Sequence, residues 1–172
     1  MRRRDALLGV GAVLLAGRAL GQERARTARA GDRVTTPAGE EAVFLVGRDV
    51  MLLREKSHLD LVEDGFRLVT GAVLAVFAPG QRRELRTPTA TIGIRGTAVY
   101  LEIQPGRTYV CTCYGEAVLG AANEPAARET IRTRHHGHRY VMAHGVPKSL
   151  ESETPLNHRD AELERLERLL RS

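Results

Sequence analysis

The chain has two cysteines, and they stand two apart in Val110-Cys111-Thr112-Cys113-Tyr114. Successive side chains of a strand point to opposite faces, so this segment predicts two thiols facing the same way. Five of the six histidines follow them: His135, His136, His138, His144 and His158. His136 and His138 repeat the two-residue spacing within a strand expected between Glu129 and Met142, whereas His135 points the other way. If the two strands are neighbours, two sulfurs and two imidazole nitrogens could surround one soft ion tetrahedrally, as zinc or copper(I) requires. Cys111, Cys113, His136 and His138, with His135 beside them, are therefore the candidate metal ligands.

Two other readings of the cysteines stay open. Paired cysteines in an oxidising compartment usually form a disulfide. Residues i and i+2 of a strand, however, lie roughly 6.5–7 Å apart with parallel Cβ vectors, at the upper limit for a bridge. The third reading is a pair of buried free thiols, with the histidines solvated in a turn around Gly137. There is no C-x-x-C-H for covalent haem and no thioredoxin-like C-x-x-C. Nucleophile elbow, P-loop and dinucleotide fingerprints are missing as well. The sequence thus predicts a protein without catalytic activity, and zinc and copper are the cofactors it suggests.

The elements that must position these residues are short strands. Ala42 to Val46 and Val50 to Arg54 flank Gly47-Arg48-Asp49; Leu59 to Val62 is closed by Glu63-Asp64-Gly65; Phe66 to Val69 leads through Thr70-Gly71 into Ala72 to Phe77. Arg83 to Arg86, Ala90 to Ile94, Ala98 to Ile103 and Tyr109 to Tyr114 follow, with Pro88, Gly96 and Pro105-Gly106 in the turns, and Ala117-Val118-Leu119 comes next. Strands every 8–12 residues with turn signals between them argue for an all-β fold, a sandwich or β-roll of short antiparallel strands. No fixed-period repeat points to a solenoid. At the end, Leu163, Leu166, Leu169 and Leu170 fall on one face of a short amphipathic helix, with Asp160 and Glu162 in its first turn and Asn157 as its expected cap.

The middle of the chain resembles a known family. Thr87-Pro88-Thr89-Ala90-Thr91-Ile92-Gly93-Ile94-Arg95-Gly96-Thr97 is similar to the T-P-x-A-x-x-x-V-R-G-T signature of FecR-type domains. Leu68 to Val73 matches the usual lead-in, and Gly115-Glu116-Ala117-Val118 the usual exit; Val99 stands where an aromatic is common. The resemblance covers roughly Gly31 to Leu119. It implies an all-β domain of the cell envelope that binds or senses through a protein partner, here of unknown identity. In physical terms Pro88 sets the entry to a strand, Gly96 permits a conformation a Cβ would forbid, and Arg95 and Thr97 are expected to satisfy backbone groups around the bend. The family's iron-signalling members need an anti-sigma segment and a membrane span, which this sequence is not expected to supply.

The first residues read as an address. Arg2, Arg3 and Arg4 precede an apolar run of 12 residues, Ala6 to Gly17. That run spans about 18 Å as a helix, short of a roughly 30 Å hydrocarbon core, so no permanent membrane span is expected. Ala19 and Gly21 suit a signal peptidase, and Arg3-Arg4-Asp5-Ala6-Leu7 resembles a twin-arginine signal. The expected organisation is therefore a cleaved signal at 1–21, an entry segment at 22–41, a FecR-like β domain with the Cys/His-bearing part at 42–145, and a tail with the helix at 146–172, located in the periplasm. Loss of residues 1–21 takes the formal net charge from +5 to +2. The remaining arginines are scattered among acids, which argues against nucleic acid as a partner.

Overall fold

A computed structural model describes residues 25–150 and 155–171. The signal segment and its processing lie outside the described residues. The elements are β1 (Arg26–Ala28), β2 (Arg33–Thr35), β3 (Ala42–Val46), β4 (Asp49–Leu53), β5 (His58–Val62), β6 (Gly65–Thr70), β7 (Ala72–Val76), β8 (Arg82–Arg86), β9 (Ala90–Arg95), β10 (Ala98–Gln104), β11 (Arg107–Ala121), β12 (Glu124–Thr133), β13 (Gly137–Val141), β14 (Lys148–Ser149) and one helix, α1 (Asp160–Arg171). The fold is all-β with a C-terminal helix. Among the described residues, no helix is long and apolar enough to cross a membrane.

The strands form one curled sheet in the order β1-β3-β4-β7-β10-β11-β9-β8-β6-β5-β2, with β12 and β13 also on β11 and β14 on β13. The curl makes two leaves joined through β11. Its first half pairs with β10 and β13, and its second half with β9 and β12. The change falls at Gly115, whose φ of 91° is left-handed and where a Cβ would sit 2.9 Å from Thr97 Oγ1. Gly115-Glu116 therefore bends one long strand, where the sequence predicted a break between two. Most pairs are antiparallel as expected, but β1 with β3 and β6 with β8 run parallel. The β6–β8 pair arises because β7, between them in sequence, crosses to the other leaf. The entry segment supplies β1 and β2, one to each leaf.

Burial explains the sequence texture. In β4, Met51 and Leu53 face the core between the leaves, while Val50 and Leu52 face a second cluster on the outer side of the first leaf. β7 divides the same way, with Val73 and Ala75 inside and Ala72, Leu74 and Val76 outside. A strand buried on both faces reads as an unbroken apolar run. In the second leaf β5 and β9 alternate, because only Leu59, Leu61, Ala90, Ile92 and Ile94 enter the core.

The outer cluster needs a cover, and α1 supplies it. The helix packs on β4 and β7, with Leu163 and Leu166 buried and Leu169 and Leu170 partly so. Full burial of one such leucine contributes about 1.5–3 kcal/mol. Its start differs from expectation. Arg159 is the residue whose carbonyl accepts the first helical N–H groups, and the Glu162 carboxylate accepts from the Arg159 N–H at 2.9 Å, one half of a capping box. Asn157 is instead left-handed, with φ 57°, and its amide donates to Glu102 at 2.7 Å.

The Thr-Pro-Thr-Ala segment fastens the leaves together. The Ala90 N–H donates to Thr87 Oγ1 at 3.0 Å, Thr87 Oγ1 lies 2.7 Å from Thr108 Oγ1, and Thr108 Oγ1 lies 2.8 Å from Thr89 Oγ1. Thr89 then donates to the Val141 carbonyl at 2.9 Å. One proton order satisfies the whole chain, running from the start of β9 across β11 to the end of β13. Pro88 caps this turn on the exposed side. At the other end of β9, Gly96 has φ 58°, and a Cβ there would lie 3.1 Å from Pro79 Cα. The buried Thr97 hydroxyl donates to the Arg95 and Glu116 carbonyls at 3.2 and 3.0 Å. The expectation for Arg95 needs correction, because its guanidinium is exposed and only its carbonyl takes part in the bend.

Candidate metal centre

Cys111 and Cys113 lie on the outer face of the first leaf, beneath the segment that leads into α1, and both are free thiols. Their shared face follows from strand alternation, since Val110 faces the inner core and Thr112 points away from the thiols. Opposite them runs β13, in register Cys111 with His138. One step earlier the His136 N–H donates to the Cys113 carbonyl at 2.9 Å. His136 is left-handed, with φ 42°, in the turn ahead of β13. Left-handed backbone at a non-glycine residue is uncommon and clusters at functional positions.

Four side chains converge: Cys111, Cys113, His136 and His158, with their sulfur and nitrogen atoms all within 4.8 Å of one another. Cys111 Sγ lies 3.3 Å from His136 Nδ1, and Cys113 Sγ lies 3.6 Å from His158 Nε2. With metal–sulfur bonds of about 2.3 Å and metal–nitrogen bonds of about 2.05 Å, the sulfur–nitrogen edge of a tetrahedron is about 3.5 Å. The two measured edges match it within a few tenths of an ångström. All four side chains are buried, the His136 side chain being 3 % exposed.

The outer nitrogens decide how the imidazoles present themselves. His136 Nε2 lies 2.8 Å from Asp160 Oδ1, and His158 Nδ1 lies 2.8 Å from the Leu156 carbonyl. A carboxylate and a carbonyl can only accept, so each of these nitrogens carries the proton. The other nitrogen of each ring, the one facing the sulfurs, is left to bind a proton or an ion. An outer hydrogen bond of this kind is the usual support of a metal-ligating histidine. The Tyr100 ring stacks on His158 with centroids 4.5 Å apart, and the Tyr109 hydroxyl accepts from the Leu156 N–H at 3.0 Å.

Electrostatics hold protons at this site, so an ion that binds here must displace them. The neighbouring Cys111 sulfur, with burial, pushes the Cys113 thiol up to about 12. Hydrogen bonding to Cys113 raises the His136 imidazole above its ordinary value against the opposing effect of burial, and Asp160 adds to the rise. The same His136 contact holds the Asp160 carboxyl below its ordinary value. Two thiols and two imidazoles in a water-poor pocket can share protons or hold one thiophilic cation, and the second alternative leaves no buried thiol without a strong partner.

The structure thus brings together three of the residues singled out in the sequence, Cys111, Cys113 and His136. His138 is on the same face, its ring parallel to that of His136 with centroids 6.4 Å apart, but its Nδ1 meets the Tyr109 hydroxyl at 3.1 Å. His135 is exposed and lies 4.0 Å from Asp160. His158 takes the place assigned to His138. No spacing in the sequence pointed to it, and the usable signal was indirect: a histidine just before a helix whose leucines must cover the face that bears the cysteines.

Fold and site together define a small all-β module with a buried group of two thiols and two imidazoles. Its fold is similar to two crystal structures of candidate anti-sigma factors from Parabacteroides distasonis ATCC 8503. One aligns with a TM-score of 0.56 at 13% identity, over 80% of this chain and 75% of that one. The other aligns with a TM-score of 0.55 at 13% identity, over 69% of this chain, which spans 59% of that chain's length. At this identity the likeness is one of fold. No family model matches the sequence, and no curated protein matches it.

Proposed function

We propose that this chain is a non-catalytic FecR-like sensory module, exported to the periplasm, whose input is a soft metal ion held by Cys111, Cys113, His136 and His158. The four-ligand convergence carries the reading, because both imidazoles are pinned from outside with a nitrogen turned toward the sulfurs. Two thiolates and two imidazoles suit zinc or copper(I). The regulatory part draws on the fold shared with the candidate anti-sigma factors and on the Thr87 to Thr97 signature, and the output is expected to be a protein of the envelope. Thr87, Pro88, Gly96 and Thr97 serve the fold in this reading.

Elemental analysis of the protein purified under non-reducing conditions, with a thiol count, tests the metal. Near one zinc or copper per chain is expected, lost in the Cys111→Ser/Cys113→Ser variant. Two free thiols and no uptake of added zinc would leave a metal-free interaction module.

A further inference from the structure

We propose that ion occupancy of this site decides whether α1 stays docked on the first leaf, so that the site works as a latch on the C-terminal helix. The inference rests on the metal reading above. Cys111, Cys113 and His136 belong to the sheet and its β12–β13 turn, whereas His158 belongs to the run into α1, and Asp160, which holds His136, is the first residue of the helix itself. An ion bound by all four ligands ties the sheet to the root of the helix.

The other ties of α1 are partial or polar, with Leu169 and Leu170 partly buried on the outer cluster and Glu167 hydrogen-bonded to Tyr114. Only Leu163 and Leu166 among its side chains are buried, and the helix has 12 residues. A helix of that length has little stability of its own in water. Arg54 adds a two-pronged contact to Glu162, at 2.8 Å for each prong, and donates to the Asn157 carbonyl at 2.9 Å. The stack of His158 on Tyr100 and the bond from Leu156 to Tyr109 act on residues 156–158, the stretch the ion would fix. Without an ion, two thiols and two imidazoles crowd together in a buried space, and opening lets them hydrate. Opening also presents Val50, Leu52, Leu74 and Val76, the apolar strip of the outer cluster, to solvent. Ion affinity and helix docking are then linked, each strengthening the other by the same factor.

Amide hydrogen exchange of the full mature chain, with zinc or with a chelator, reads the latch directly. Zinc is expected to slow exchange in residues 160–171 at least tenfold while β10 and β11 stay protected in both states. In a second arm Leu166→Asp, which weakens docking and leaves all four ligands in place, is expected to lower zinc affinity at least tenfold. Zinc binding with the same helix exchange in both states, or wild-type affinity in an undocked Leu166→Asp variant, overturns the latch and leaves the metal site standing. Failure of the wild-type chain to take up either zinc or copper(I) overturns both.

Discussion

His136 Nε2 and Asp160 Oδ1 are 2.8 Å apart, a single hydrogen bond joining the turn before β13 to the first residue of α1. It supports a prospective ligand from outside and anchors the helix at once. Replacing Asp160 by Asn keeps the shape but weakens the acceptor. Loss of such an outer partner typically lowers metal affinity about 10–100-fold. Competition against a zinc indicator is expected to show a fall in that range for Asp160→Asn, and an unchanged affinity would remove Asp160 from the site.

The two buried histidines of this face should behave differently. His158→Ala takes away a nitrogen 3.6 Å from Cys113 Sγ, so zinc binding should weaken by more than tenfold. His138→Ala disturbs the Tyr109 contact and should cost stability while zinc affinity stays within about threefold. Equal losses of zinc affinity in the two variants would mean that the ligand set is misassigned.

Gly96 carries the bend after β9 at φ 58°, with Pro79 Cα 3.1 Å from where a Cβ would stand. A β-branched residue pays both for the left-handed backbone and for the contact. Backbone strain of this kind costs about 1–3 kcal/mol, and a chain of this size loses about 2–4 °C of melting temperature per kcal/mol. Gly96→Val is expected to melt about 2–12 °C lower, the range set by those two figures. A wild-type melting curve would show that the bend does not need glycine.

Acid should loosen the helix through Glu162. The hydrogen bonds from Arg54 hold its carboxyl below the ordinary 4.5, against partial burial and with help from the Arg159 N–H. Glu41 shares the same guanidinium, and the Asn157 carbonyl accepts from it. A depressed folded value means that this contribution is complete above the ordinary value and is lost as pH falls through the folded one. Exchange in α1, followed from pH 6 to pH 3, should rise more steeply in the wild type than in Glu162→Gln. Parallel profiles would show that the Arg54–Glu162 pair does not hold the helix.

Much of the fold was legible because strands and turns are written locally. β3 falls on the predicted Ala42 to Val46, and β5, β7, β8, β9 and β10 start or end within a residue or so of their predicted bounds. The helix leucines, the shared face of Cys111 and Cys113, and the glycine bend at Gly96 follow from periodicity and from what a Cβ forbids. Less legible was anything that joins distant segments. The parallel β6–β8 pair depends on where β7 goes, and the single bent β11 depends on which leaf each half meets.

The site divides along the same line. By itself the sequence determined that two thiols share a strand face and that histidines at strand spacing follow, because alternation is a property of one segment. Only the tertiary structure decided that His158 enters and that the His138 imidazole turns to Tyr109. Those outcomes depend on helix α1 folding back over β4 and β7 to cover an apolar face, which brings residues 45 apart in sequence, Cys113 and His158, into contact. Burial drives that return, and it has no sequence spacing of its own.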